Sequence, residues 1–182
     1  MPLPPPPVLI SERQIQRKVS RLAAKISHDY ADADDLLMIG VLKGAFIFLA
    51  DLSRALTIPR RVDFMALSTY GDGTTTGAVR LIMDLRTDIR GRHVLVVEDI
   101  VDTGLTLGYL LRNLQAREPT SIAVCTLLDR RVRRLTKLPI RYTGFEVPDR
   151  FLVGYGLDHR EEHRNLPYLG ALPEDGKGPG QP

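Results

Sequence analysis

The stretch Val94-Leu95-Val96-Val97-Glu98-Asp99-Ile100-Val101-Asp102-Thr103-Gly104-Leu105-Thr106 decides how this chain is read. Its first four residues are apolar at successive positions, the mark of a central parallel strand covered on both faces. That strand ends in two adjacent carboxylates, and a third precedes a Thr-Gly turn that leads into a helix. Such a turn presents backbone N–H groups, two hydroxyls and a helix N-terminus to a phosphate, with Gly104 allowing close approach. Carboxylates beside a phosphate repel it unless they face vicinal hydroxyls or a divalent cation. A ribose phosphate satisfies both halves of the segment. Asp99 and Asp102 as plain loop caps are the alternative, but three carboxylates within five residues at the end of an apolar strand need compensation. Neither GxxxxGK[ST] nor GxGxxG after a strand is present, so the common nucleotide loops are excluded on spacing.

The same alternation of apolar runs and helical spacing extends in both directions. Ser11 with Gln14 forms a capping-box pattern, and Ile15, Val19, Leu22, Ala23 and Ile26 then predict an amphipathic helix to about residue 28. The apolar run 36–42 predicts a strand, broken by Lys43-Gly44 and followed by a helix over 45–56. A second strand is expected over 61–69. The glycine-rich segment 70–77 reads as a mobile loop, and strand signal resumes over 79–85. Beyond the acidic stretch, a helix over 105–115, a buried strand over 121–128 and short strands within 145–156 complete the pattern. Strands alternating with helices predict an α/β fold with a central, mainly parallel sheet flanked by helices, whose ligands bind at the carboxyl ends of the strands. The positions that become chemically unusual, 43–44, 69–77, 98–106 and 129 onward, fall at those ends.

Composition bounds the rest. The 182 residues predict a single domain over 10–172, with a stiff Pro-rich arm over 1–9 and a disordered Pro- and Gly-rich tail over 173–182. With 43% hydrophobic and 26% charged residues the chain is an ordinary globular one. Its 25 Lys and Arg against 22 Asp and Glu give +3, too little to make nucleic acid or an anionic membrane the default partner. The single cysteine, Cys125, lies in an apolar run and reads as core. The four histidines, His28, His93, His159 and His163, share no metal-ligand spacing. The absence of a long apolar run and of a leader pattern predicts a cytoplasmic location.

The acidic stretch resembles the phosphoribosyl-pyrophosphate signature of the type I phosphoribosyltransferases, in the form found in the hypoxanthine (hypoxanthine-guanine) branch. The resemblance runs from about Val41 to Leu169. Leu42-Lys43-Gly44 is similar to the pyrophosphate loop of that family and Thr69-Tyr70 to its mobile lid. The stretch Val147-Pro148-Asp149-Arg150-Phe151-Leu152-Val153-Gly154-Tyr155-Gly156-Leu157-Asp158 is similar to its purine and metal segment. The resemblance implies the type I fold with a small hood, and Mg²⁺-dependent transfer of a 5-phosphoribosyl group from phosphoribosyl pyrophosphate to N9 of hypoxanthine or guanine. It implies Glu98 and Asp99 at the ribose hydroxyls, Asp102 as the catalytic acid–base at purine N7, and Thr103, Gly104, Leu105 and Thr106 at the 5′-phosphate. It further implies Arg164 at pyrophosphate, Arg130, Phe151, Leu152 and Asp158 at the purine, Glu98, Asp99 and Asp158 at Mg²⁺, and a homodimer or homotetramer. In isolation Lys43-Gly44 reads as a strand-to-helix turn, Phe151 and Leu152 as core, and Arg164 as a solvated face. Two positions depart from the family pattern: Arg130 stands where lysine is usual, and Thr69 where serine is usual. A xanthine-preferring enzyme and a related RNA-binding regulator, using the basic run 130–137, are the competing readings.

Overall fold

The computed structural model describes residues 5–70 and 78–173. Elements follow in the order β1 (Val8–Ile10), α1 (Glu12–Asp29), β2 (Leu36–Leu42), α2 (Phe46–Ala55), β3 (Arg60–Tyr70), β4 (Ala78–Met83), β5 (His93–Val101) and α3 (Leu105–Gln115). Then come β6 (Ser121–Asp129), a 3₁₀ turn (Arg131–Arg133), β7 (Ile140–Glu146), β8 (Leu152–Val153) and β9 (Leu169–Ala171). Six strands form one sheet in the order β4-β3-β2-β5-β6-β7, and only β4 runs antiparallel to its neighbour. The first residues of β2 and β5 pair, Leu36 with His93, and the order reverses between these two strands. That places the switch-point crevice of an open α/β sheet at their carboxyl ends.

Alternate residues of each central strand go to opposite layers. Leu36, Met38, Leu95, Val97, Ala123 and Cys125 pack with Ile15, Val19, Leu22 and Ile26 of α1 and Phe48, Leu49 and Leu52 of α2. Leu37, Ile39, Val94, Val96 and Val124 pack with Leu107, Leu110, Leu111 and Leu114 of α3. The continuous apolar runs of β2 and β5 follow from this burial on both faces. Cys125 is fully buried, and burial pushes its thiol well above the usual range, as expected of a core residue. The capping box at Ser11 is formed, with the Ser11 N–H donating to Gln14 Oε1 and the Gln14 N–H donating to Ser11 Oγ.

Three expectations need correction. Strand β5 does not end at the two carboxylates but runs past them to Val101, because β6 extends alongside it to Asp129 and satisfies its backbone: Glu98 pairs with Thr126 and Val101 with Asp129. Strand β7 begins at Ile140, ahead of the short strands expected within 145–156. The arm assigned to 1–9 includes Val8 and the start of strand β1, which pairs antiparallel with β9 in a three-stranded hood, and the Tyr168 hydroxyl donates to the Pro6 carbonyl. A sheet partner distant in sequence fixes this segment, which no local pattern announces. The loop predicted over 70–77 and the tail over 173–182 lie, apart from their first residues, outside the described residues.

Candidate active site

A cleft of about 270 Å³ opens at the carboxyl ends of β2 and β5, lined by Leu42, Gly44, Glu98, Asp99, Asp102, Thr103, Gly104 and Thr106, with Leu67 and Leu107 among its apolar walls. Two loops predicted to work together therefore meet here. Gly104 adopts the left-handed conformation (φ 84°) at the N-cap of α3, a backbone that disfavours a side chain. The first turn of that helix faces the cleft with no side-chain cap, and among the described residues only the Leu105 N–H is partly engaged, by Thr103 Oγ1 at 3.4 Å. Free N–H groups at a helix start suit an anion.

The peptide between Leu42 and Lys43 is cis. Gly44 is required by space: a Cβ there would lie 1.6 Å from Asp99 Oδ2. Gly156 sits against the other side of the loop, where a Cβ would lie 2.1 Å from the Gly44 carbonyl oxygen. The Lys43-Gly44 turn thus lies close against the Asp99 carboxylate on one side and the backbone of Gly156 on the other.

Glu98 is buried, and burial, reinforced by the neighbouring Asp99, raises its carboxyl well above the usual range. Asp99 is pushed up to about 6, chiefly by burial; the backbone N–H of Ile100, which donates to it at 2.7 Å, and the nearby Arg164 oppose the rise. Asp158 lies near enough to add to it. Buried carboxylates with so little compensation fit a hard cation or donor hydroxyls. Among the described residues, however, no three His, Cys, Asp or Glu side chains converge as a metal-holding group, so Glu98, Asp99 and Asp158 do not form a closed cage.

Asp102 and Arg130 are held together. Arg130 is 8% exposed and donates from Nη1 to Asp102 Oδ2 (2.9 Å) and from Nη2 to the Arg150 carbonyl (2.6 Å). Asp102 Oδ1 and Arg130 Nε are buried without a hydrogen bond among the described residues, and Arg130 Nε has Asp149 Oδ1 at 4.0 Å. Phe151 is 55% exposed, its ring touching His159 edge-on, while Leu152 is buried. Core burial was the simple expectation for Phe151, and the structure instead leaves its face available. Arg164 reaches Asp158 (2.8 Å), Glu161 (3.2 Å) and the Gly156 carbonyl (2.8 Å), and Lys43 pairs with Glu161 (3.0 Å). Thr69 and Tyr70 end β3 and pair with Val79 and Ala78.

Sequence reasoning missed the network around the base site. Arg133 bridges Asp149 (2.7 Å) and Asp102 (3.7 Å), Arg131 pairs with Asp129 (3.1 Å) and Glu146 (2.8 Å), and Arg134 pairs with Asp129 and donates to the Asp102 carbonyl (3.0 Å). Four arginines of the basic run are therefore engaged with carboxylates of this chain, which removes most of the charge an RNA-binding face would need. The one local signal was Asp129, which immediately precedes the run; Glu146 and Asp149 come from beyond it in the sequence.

The model of the phosphoribosyl transferase domain matches residues 10–160. The chain belongs to the phosphoribosyltransferase family. This phosphoribosyltransferase is 50% identical over 171 residues to the hypoxanthine-guanine phosphoribosyltransferase of Mycobacterium avium, covering 91% of this chain and 84% of that one. It is 46% identical over 168 residues to the hypoxanthine phosphoribosyltransferase of Haemophilus influenzae, covering 91% and 94%. Its structure is similar to that of a hypoxanthine-guanine phosphoribosyltransferase of Bacillus anthracis, with a TM-score of 0.87 and 44% identity over 92% of this chain and 98% of that one. The hypoxanthine branch suggested by Glu98 to Thr106 is thus the branch of its relatives, and the α/β sheet with its hood is the phosphoribosyltransferase fold.

Proposed function

We propose that this phosphoribosyltransferase acts in purine salvage, transferring the 5-phosphoribosyl group of phosphoribosyl pyrophosphate to N9 of hypoxanthine or guanine and releasing pyrophosphate. The observation that carries the base assignment is a pair beside the cleft, Asp102 Oδ1, an acceptor, and Arg130 Nε, a donor: both are buried without a hydrogen bond among the described residues, and Arg130 Nε faces Asp149 Oδ1 only at 4.0 Å. A 6-oxopurine protonated at N7 offers the complementary donor and acceptor, whereas adenine places an amino donor against a guanidinium that has no acceptor. The relatives' names give no support to a preference for xanthine.

In this reading N9 forms a bond to C1′ as the C1′–O bond breaks, the electron pair leaves with pyrophosphate, and the N7 proton passes to Asp102 Oδ1. Phe151 stacks on the base and Leu152 offers backbone groups to its edge. Thr103, Gly104, Leu105 and Thr106 hold the 5′-phosphate; Leu42, Lys43, Gly44 and Arg164 hold the pyrophosphate, with Thr69 and Tyr70 as the start of a lid. Glu98 and Asp99 accept from the ribose hydroxyls and, with Asp158, would hold Mg²⁺. When bound, Mg²⁺ supplies positive charge that stabilises the departing pyrophosphate. The assembly in this reading is a homodimer or homotetramer in the cytoplasm, and no helix in the described residues is long and apolar enough to cross a membrane.

The test is pyrophosphate release with hypoxanthine, guanine, xanthine and adenine, each with and without Mg²⁺. Release with the first two, abolished by chelation, is expected. Equal rates with adenine would overturn the base assignment.

A further inference from the structure

We infer that Asp51, on α2 and outside the cleft, is a positioning residue for the purine segment, acting through the hydroxyl of Tyr155. The inference rests on the reading of residues 151–158 as the purine segment.

That segment has an unusual backbone. Gly154 (φ 99°), Tyr155 (φ 50°) and Gly156 (φ 102°) follow one another in the left-handed region, and Arg160, Glu161 and His163 join them there. Non-glycine residues stay in that region only where their surroundings determine them. Leu152 and Val153 pair with β9 in the hood, but the backbone N–H bonds of 154–156 do not reach the central six-stranded sheet. Gly154 N–H donates to the Leu157 carbonyl (2.9 Å), Tyr155 N–H to Leu166 (2.8 Å) and Gly156 N–H to Arg164 (3.0 Å), all within 154–166. They fold 154–156 back onto the following loop, so beyond the hood strand the place of these residues over the cleft depends on further contacts.

One such contact is the Lys43–Glu161 ion pair, whose side chains are 68% and 66% exposed, the class of pair that contributes least. Tyr155 is different. Its ring is 3% exposed and belongs to the core that α1 and α2 share, and its hydroxyl donates to Asp51 Oδ2. A phenylalanine would fill the same core; the hydroxyl adds a part-buried, charge-assisted bond at a defined point. Asp51 is itself fixed, by Arg54 on its own helix and by Gln16 Nε2 of α1 at 3.3 Å. Helix α2 starts two residues after Gly44, whose carbonyl touches Gly156. The Asp51 carboxylate thus refers the purine segment to the helix that carries the pyrophosphate loop.

The experiment compares Tyr155→Phe, Asp51→Ala and Asp51→Asn with the full-length wild type. Tyr155→Phe and Asp51→Ala should each raise KM for hypoxanthine by about 10-fold, the scale of one lost buried hydrogen bond, with kcat and KM for phosphoribosyl pyrophosphate changing by less than about 3-fold. Asp51→Asn, which keeps an acceptor for the phenol, should restore most of the purine affinity. Hydrogen exchange of the ligand-free proteins supplies a readout that does not depend on turnover: amides 154–157 should lose protection in Tyr155→Phe and Asp51→Ala. A lower melting temperature with unchanged hypoxanthine KM, or a uniform fall in every kinetic constant, would overturn the inference. If the wild type proved inactive on 6-oxopurines, the reading of the site would fail, while the exchange data would still decide the Asp51 anchor.

Discussion

Arg130 Nη1 lies 2.9 Å from Asp102 Oδ2, so the carboxylate that would take the purine proton and the cation that would read the 6-oxo group form one ion pair. The two arrive from neighbouring strands, Asp102 just past β5 and Arg130 just past β6, and the Arg130 N–H donates to the Val101 carbonyl at 3.0 Å. The guanidinium fork lets Arg130 hold Asp102 and the Arg150 carbonyl at once, which a single ammonium on a flexible stem does less rigidly.

Arg130→Lys should accordingly keep activity on 6-oxopurines and alter mainly the ratio of guanine to hypoxanthine turnover, since the shorter donor set releases the Arg150 carbonyl. Arg130→Ala should lower kcat/KM by about 10²-fold or more and weaken discrimination against adenine, because buried polar groups of base and site go unpaired. Steady-state kinetics on the four purines decide this. Near-normal constants for both variants would assign Arg130 to the paired basic run alone.

Asp102→Asn should slow nucleotide formation by ~10²–10⁴-fold, the usual scale for a general acid–base group, with donor affinity little changed. Single-turnover rates together with direct binding of phosphoribosyl pyrophosphate separate the two quantities. Wild-type turnover in the variant would refute the assignment.

Gly44→Ala should cost the donor site rather than the base site. The new methyl would meet Asp99 Oδ2 at 1.6 Å, so either the 43–44 loop or the Asp99 carboxylate must move. We expect KM for phosphoribosyl pyrophosphate to rise by about 10-fold or more, given that displacements of about 1 Å at a site can cost ~10²-fold. Calorimetric titration with pyrophosphate checks this without turnover, and unaltered affinity would show that the loop has room.

Glu98→Gln should stabilise the ligand-free protein while weakening it as an enzyme. A carboxyl whose folded-state value is raised by burial is penalised when ionised; the penalty begins as pH rises through the unfolded value, about 4.3, and is complete above the folded one. At pH 8 the variant should melt about 2–4 °C higher, the shift that 1 kcal/mol produces in a chain of this size, and the gain should vanish near pH 4. Thermal melts from pH 4 to 8, with donor binding measured alongside, test both halves. A variant less stable than wild type at pH 8 would contradict the account.

The sequence by itself determined the architecture and the cleft's own lining. Uninterrupted apolar runs at 36–42 and 94–97 admit only strands buried on both faces, and the helical spacing between such runs requires parallel crossovers. Ligands at the carboxyl ends of such strands put Lys43-Gly44 and Glu98 to Thr106 at one edge of the sheet, while the strand order that sets them side by side came from the fold. Tertiary structure alone decided what pairs across elements. The 130–137 run looked like solvated positive charge until Asp129, Glu146 and Asp149 were brought against its arginines. Val8–Ile10 looked like the end of an arm until β9 supplied its hydrogen-bond partner. Asp51 gave no sign of a link to Tyr155, 104 residues away. Periodicity encodes which face of an element is buried; it carries no record of which distant polar group meets another, since that depends on the relative placement of elements after the core has formed.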